Sequence, residues 1–295
     1  MGLCPIAPPK GFPVALWKPS AAKPVFLEII GFHLTVLFSN LLKTAAKRIW
    51  GQGAKSLVRG LGMESPTYPP RWKGLSMELK NAVINILGDS ITEGVGASCE
   101  ASRYTDVFAR ISGARVNNYG VSGSRIANQR INTGERHEAH FCMRMEEMDE
   151  SADAVVVFGG TNDYGHGDAP LGVFTDRTPD TFYGACHVLM GGLVRRYCGK
   201  PIVIMSPLHR MHENDPAGDG TDRKLEVRAP LSRYREILLE VAAYYALPVL
   251  DLYLTSGMQP AHDVCRERLM PDGLHPSDEG HAIIARRLCA FMKTL

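Results

Sequence analysis

At 295 residues, with 45% hydrophobic and 22% charged positions, the chain has the balance of a globular protein of one large or two small domains. A formal net charge of +2, with no basic stripe interleaved with aromatics, gives no electrostatic case for nucleic acid. Seven cysteines (Cys4, Cys99, Cys142, Cys186, Cys198, Cys265, Cys289) are scattered, odd in number and without a Cys-x-x-Cys pair, which argues against a disulfide framework or a zinc knuckle and for reduced thiols in a cytoplasmic protein.

Residues 1–24 carry Pro5, Pro8, Pro9, Pro13, Pro19 and Pro24, a density that argues against regular helix or strand. Val25 to Leu42 is almost wholly apolar, interrupted by Glu28 and His33 and followed by Lys43, Lys47 and Arg48. A membrane helix needs about 20 apolar residues, so this stretch is marginal. It leaves three readings open: a membrane or surface anchor (or export signal), a helix docked on the domain, or sequence upstream of the functional product, since Met77 would be a natural start. Membrane contact through residues 25–42 is not the favoured one. Gly51 to Pro70 is rich in Gly, Pro and Ser and reads as a linker. Residues 1–75 are therefore expected to be an N-terminal extension and 76–295 the functional domain.

From Leu79 onward strand and helix patterns alternate. Ala82 to Gly88 is a short run rich in β-branched residues, hence a buried strand. Ala101 to Ile111 is helical in pattern, with Tyr104, Val107, Phe108 and Ile111 on one face. Arg115 to Tyr119 is a strand, Glu135 to Glu150 a polar helix, and Asp153 to Phe158 the central strand. Thr181 to Tyr197 reads as a helix capped by Asp180. Pro201 to Met205 is a strand, Ala229 to Tyr245 a helix, Pro248 to Leu252 a strand, and Asp278 to Met292 the closing helix. Apolar strands separated by helices imply an α/β protein: a three-layer α/β/α sandwich around a mostly parallel five-stranded sheet, whose ligands bind at the C-terminal strand ends.

Four segments at such ends carry chemistry. Gly88-Asp89-Ser90 places a serine where a strand stops and a helix begins, near free backbone N–H groups and a positive helix end. Asn118-Tyr119-Gly120-Val121-Ser122-Gly123 follows a second strand, and its glycines let a backbone N–H approach a substrate. Gly120 is read as serving the turn. Gly160-Thr161-Asn162-Asp163 puts a short amide side chain at a third strand end. In Asp272-Gly273-Leu274-His275 the carboxylate can lie beside the imidazole and fix its tautomer.

With these blocks in this order over roughly residues 80–295, the chain resembles the SGNH hydrolases, also called the GDSL esterase and lipase family. Ile91 stands where many members have Leu, a packing position. The resemblance implies a flavodoxin-like fold and a serine ester hydrolase working through an acyl-enzyme without metal or cofactor. Ser90 would be the nucleophile, His275 the base and Asp272 its orienting carboxylate. The N–H groups of Ser90 and Gly123 and the Asn162 amide would form the oxyanion hole.

The loops from Tyr164 to Pro170 and from His209 to Pro230 are longer than connection requires and read as substrate walls. Asp89, Tyr164, His166, His209 and Arg223 are the substrate-lining candidates, while Asp89 and Asp163 are also expected to hold loops through backbone bonds. Polar rims favour a short acyl group, acetyl foremost, on a carbohydrate or other polar small molecule. The rivals are a lysophospholipase, thioesterase or acyltransferase, and a catalytically silent binding domain. His209, His212 and Asp215, His166 and Asp168, and His137 and His140 have spacings that can bind zinc, but no helical or cysteine context supports a metal site.

Overall fold

A computed structural model of the chain describes residues 77–295 apart from Asn132, Pro216 and 220–228. The proline-rich leader, the apolar stretch 25–42, the linker and Arg223 lie outside the described residues.

Five strands form one parallel sheet: β1 (Val83–Gly88), β2 (Arg115–Gly120), β3 (Ala154–Phe158), β4 (Ile202–Met205) and β5 (Val249–Leu250), in the order β2-β1-β3-β4-β5. Alternation along each central strand feeds two separate cores. Ile84, Ile86, Ala154, Val156, Phe158, Val203 and Met205 pack on one face against Tyr104 and Phe108 of α2 (Tyr104–Ser112) and Ile284, Leu288 and Met292 of α9 (Asp278–Met292). Leu87, Val155, Val157, Ile202 and Ile204 pack on the other against α5 (Phe182–Arg196) and α6 (Leu231–Tyr244). The expected three-layer α/β/α sandwich is what these two cores describe. Among the described residues no helix is long and apolar enough to cross a membrane.

Asn85 is the polar intruder in β1. It is fully buried, donates to Asp149 O at 2.8 Å and to the Tyr197 hydroxyl at 3.1 Å, and accepts from Asn117 Nδ2 at 2.9 Å. Such a group is tolerated in a core only when its bonds are met, as here.

Most elements match the sequence reading to within a residue or two, but two expectations fail. Glu135 to Glu150 is not one helix: extended backbone at Ala139 and His140 separates a 3₁₀ turn (Arg136–Glu138) from α3 (Phe141–Arg144), which runs directly into a second 3₁₀ turn (Met145–Glu147). Long-range contacts override local propensity. Glu138 is drawn into a buried ion pair with Arg125, and the Phe141 N–H bonds Arg125 O at 2.9 Å. The cap of α5 is not Asp180 but Thr181, whose Oγ1 accepts from the Gly184 N–H; Asp180 instead accepts from Asn128 Nδ2 at 2.9 Å. Three short helices escaped the sequence reading, α4 (Thr161–Gly165), α7 (Leu252–Thr255) and α8 (Asp263–Leu269). They are too short for a periodic signal.

Reversal of strand order falls between β1 and β3. The connections leaving these neighbours run to opposite sides of the sheet, and in open sheets of this kind ligands bind beyond the C-terminal strand ends at such a point. Ser90 follows β1 and Asn162 follows β3.

Candidate active site

β1 runs through Gly88 into Asp89, whose carboxylate accepts the Ile91 N–H at 3.0 Å and caps α1 (Ser90–Glu93). Ser90 is therefore the first residue of a one-turn helix, and its N–H has no acceptor among the described residues. The hydroxyl lies 3.0 Å from His275 Nε2. His275 comes from the far end of the chain, in the turn after α8. Asp272 Oδ1 there accepts the N–H groups of Leu274 and His275 at 2.9 and 2.7 Å, leaving Oδ2 2.7 Å from His275 Nδ1. A carboxylate at that distance accepts a hydrogen bond from Nδ1–H, which keeps the ring proton on Nδ1. Nε2 is then a bare acceptor for the Ser90 hydroxyl.

Burial acts to raise the Asp272 carboxyl, but the His275 side chain and the backbone N–H groups of His275 and Leu274 hold it below its usual range. It stays ionised beside the imidazole.

β2 ends at Gly120, where a Cβ would sit 2.2 Å from the Glu93 N, so the strand end and α1 touch backbone to backbone. Beyond it the Ser122 N–H and hydroxyl both donate to Glu93, three residues from Ser90. Burial would raise Glu93, but Ser122 and Arg136 hold its carboxyl below the ordinary value. Gly123 follows with φ +75°, a conformation natural to glycine, and its N–H also meets no acceptor among the described residues. Asn162, in α4 (Thr161–Gly165), donates from Nδ2 to Ser124 O at 3.1 Å. Helix α1 is thus bonded to the glycine block through Glu93 and Ser122, and the block to the amide through Ser124 and Asn162. The arrangement can activate a hydroxyl and receive a developing oxyanion on three N–H donors.

The GDSL-like lipase/acylhydrolase family model matches residues 86–283. The chain belongs to that family. It is a carboxylic ester hydrolase. A solved structure from Lactobacillus plantarum is 33% identical, with 73% of this chain and 98% of that one covered and a TM-score of 0.62. A possible lipase from Chitinophaga pinensis is 20% identical over 72% of this chain and 98% of its own, with a TM-score of 0.53, and shows the fold alone. No curated protein matches.

Two rim candidates of this esterase are not on the rim. Asp89 is 2% exposed and turned inward as the cap of α1. Tyr164 is fully buried, its hydroxyl donating to the carbonyls of His212 and Asp215, so it staples the loop after β4 to α4. His166 has Nε2 3.2 Å from Asn162 Oδ1. His209 pairs with Glu213 at 2.8 Å and packs on the Tyr253 ring at 3.7 Å. Its loop meets the Asp272–His275 turn where the Met211 N–H bonds Gly273 O at 2.8 Å. Asp163 holds a loop as expected, its two oxygens accepting the Ile126 and Ala127 N–H groups at 2.9 Å. Asp168 does the same for Arg130 and Ile131 at 2.8 Å. Among the described residues no cluster of three or more His, Cys, Asp or Glu could hold a metal.

Sequence reasoning missed Arg125, Glu138, Glu93 and Arg136. Only Arg125 had a local signal, as a charged residue directly after the glycine block.

Asp89 has a consequence for stability. Burial pushes its carboxyl from 3.8 up to about 7, the Asp163 charge adding to the effect while the Ile91 N–H and Arg144 oppose it. Over that interval the folded protein holds a proton that the unfolded chain releases, so stability from this group is full at low pH and declines as pH rises from about 4 to about 7. Asp89→Asn keeps an acceptor for Ile91 and removes the titration. It is expected to raise the melting temperature at pH 8 and leave it nearly unchanged at pH 4; equal shifts in calorimetric scans at the two pH values would refute this.

Proposed function

We propose that this esterase works through an acyl-enzyme formed on Ser90, within a catalytic domain spanning residues 76–295, and acts on short acyl esters of a carbohydrate or other polar alcohol. Ser90 Oγ attacks the ester carbonyl carbon while His275 Nε2 takes the hydroxyl proton. Negative charge passes to the carbonyl oxygen, which the N–H groups of Ser90 and Gly123 and the Asn162 amide stabilise. His275 returns the proton to the departing alcohol oxygen. Water then repeats the attack on the acyl carbon, giving the acid and restoring Ser90. Asp272 keeps its charge throughout and stabilises the imidazolium.

The observation that carries this reading is the unbroken line from Asp272 Oδ2 through His275 to Ser90 Oγ, with steps of 2.7 and 3.0 Å. Support for a polar substrate comes from the surrounding side chains. Arg136 is largely exposed, His137 is partly so and lies against Gly123, and His166 flanks Asn162. A long alkyl chain would find few apolar partners among them.

An ester panel tests the acyl preference. On p-nitrophenyl acetate, octanoate and palmitate, kcat/KM is expected to fall at least about tenfold from the shortest to the longest chain, the order of discrimination apolar contacts supply. A preference for palmitate would overturn the short-acyl reading and favour a lipolytic enzyme.

A further inference from the structure

Behind the oxyanion donors lies a buried guanidinium. Arg125 is 2% exposed, and its Nη2 forms an ion pair with Glu138, whose side chain is equally buried. Arg125 Nη1 points toward the site, 3.3 Å from Gly123 O and 3.2 Å from His166 Nδ1. Its Nε is buried and finds no acceptor among the described residues. A buried ion pair adds little net stability, because desolvation of both charges offsets their attraction. An unsatisfied Nε makes the arrangement costlier still. Its contribution is better sought in what it orients.

Proton accounting fixes that orientation. A guanidinium only donates, so His166 Nδ1 must accept, and the ring proton must sit on Nε2. Nε2–H then donates to Asn162 Oδ1 at 3.2 Å. With its oxygen engaged, the Asn162 amide cannot flip, and Nδ2 is left to donate. One of its two hydrogens goes to Ser124 O at 3.1 Å. The other is available for a substrate oxygen. Bonds in series also polarise one another, which strengthens the final donor. The same Nη1 pins the Gly123 carbonyl and so restrains the glycine whose N–H is a second donor.

We propose that Arg125 and His166 are positioning residues of this esterase: they hold the Asn162 amide and Gly123 so that both donors are aimed at the oxyanion before substrate arrives. This rests on the acyl-transfer reading above and names the part of the protein that tunes it. Neither residue takes or gives the reacting proton.

A double-mutant cycle with p-nitrophenyl acetate tests it. Asn162→Ala is expected to lower kcat by about 10²–10³, the loss typical of one oxyanion donor. His166→Leu leaves the Arg125–Glu138 pair in place and is expected to lower kcat by about tenfold, the equivalent of one ordinary hydrogen bond, with KM within twofold. His166→Gln, which retains an N–H donor toward Asn162, should recover most of that loss. Adding His166→Leu to Asn162→Ala should cost nothing more, because the histidine acts through the amide. Arg125→Met paired with Glu138→Leu removes both buried charges together and should reproduce the kcat loss in a protein that still melts cooperatively. Wild-type kcat in His166→Leu, losses that multiply in the double variant, or a change confined to KM would overturn the proposal. Failure of the underlying reading looks different: Ser90→Ala would remain active, and the positioning role would fall with it.

Discussion

Ser90→Ala is expected to reduce kcat on p-nitrophenyl acetate by about 10⁴-fold or more, with KM little changed and labelling by a fluorophosphonate abolished. The size of the effect follows from what is lost and what stays. Removing Oγ deletes the atom proposed to carry the acyl group, so hydrolysis would be left to water beside the proposed oxyanion donors. The substitution should barely disturb the fold. Asp89, not Ser90, caps α1, and the Ser90 hydroxyl forms its bond to His275 rather than to the scaffold. An unchanged melting temperature beside lost turnover would separate chemistry from folding. Retention of more than a tenth of the activity would sink the acyl-enzyme on Ser90.

How much of this was legible in the sequence depends on the range of the interaction. β1, β3 and α9 were readable because their patterns are local: β-branched runs that end in glycine, and a single 15-residue helix. Ser90 and His275 were readable because each sits in a short turn motif, although 185 residues separate them. The segment 135–150 was misread because its polarity suggests a solvated helix. Glu138 and Phe141 are instead pulled inward by Arg125, a partner from another loop. Tyr164 was misplaced for a similar reason. Its hydroxyl suggests a wet rim, but the carbonyls of His212 and Asp215 satisfy it in the interior. Arg125 could not have been assigned a role from sequence, because its meaning comes from His166, 41 residues away.

Asp272→Asn is expected to lower kcat by about 10⁴-fold, the loss seen when a triad histidine is held in the wrong tautomer, and to be a worse enzyme than Asp272→Ala. The turn geometry forces this order. Oδ1 is fixed as an acceptor by the N–H groups of Leu274 and His275, at 2.9 and 2.7 Å. An asparagine must leave its oxygen there, so its NH₂ takes the place of Oδ2 and faces His275 Nδ1, now 2.7 Å from a carboxylate. Two donors cannot share that contact. The imidazole must accept at Nδ1 and carry its proton on Nε2, where it blocks uptake of the Ser90 proton. Alanine removes the orienting group but leaves both tautomers accessible, so some molecules stay competent. Steady-state kinetics of the two variants, with ¹⁵N shifts of His275 to read the tautomer, decide the matter. If Asp272→Asn proves more active than Asp272→Ala, Asp272 does not act by setting the histidine proton, and the turn merely holds the ring in place.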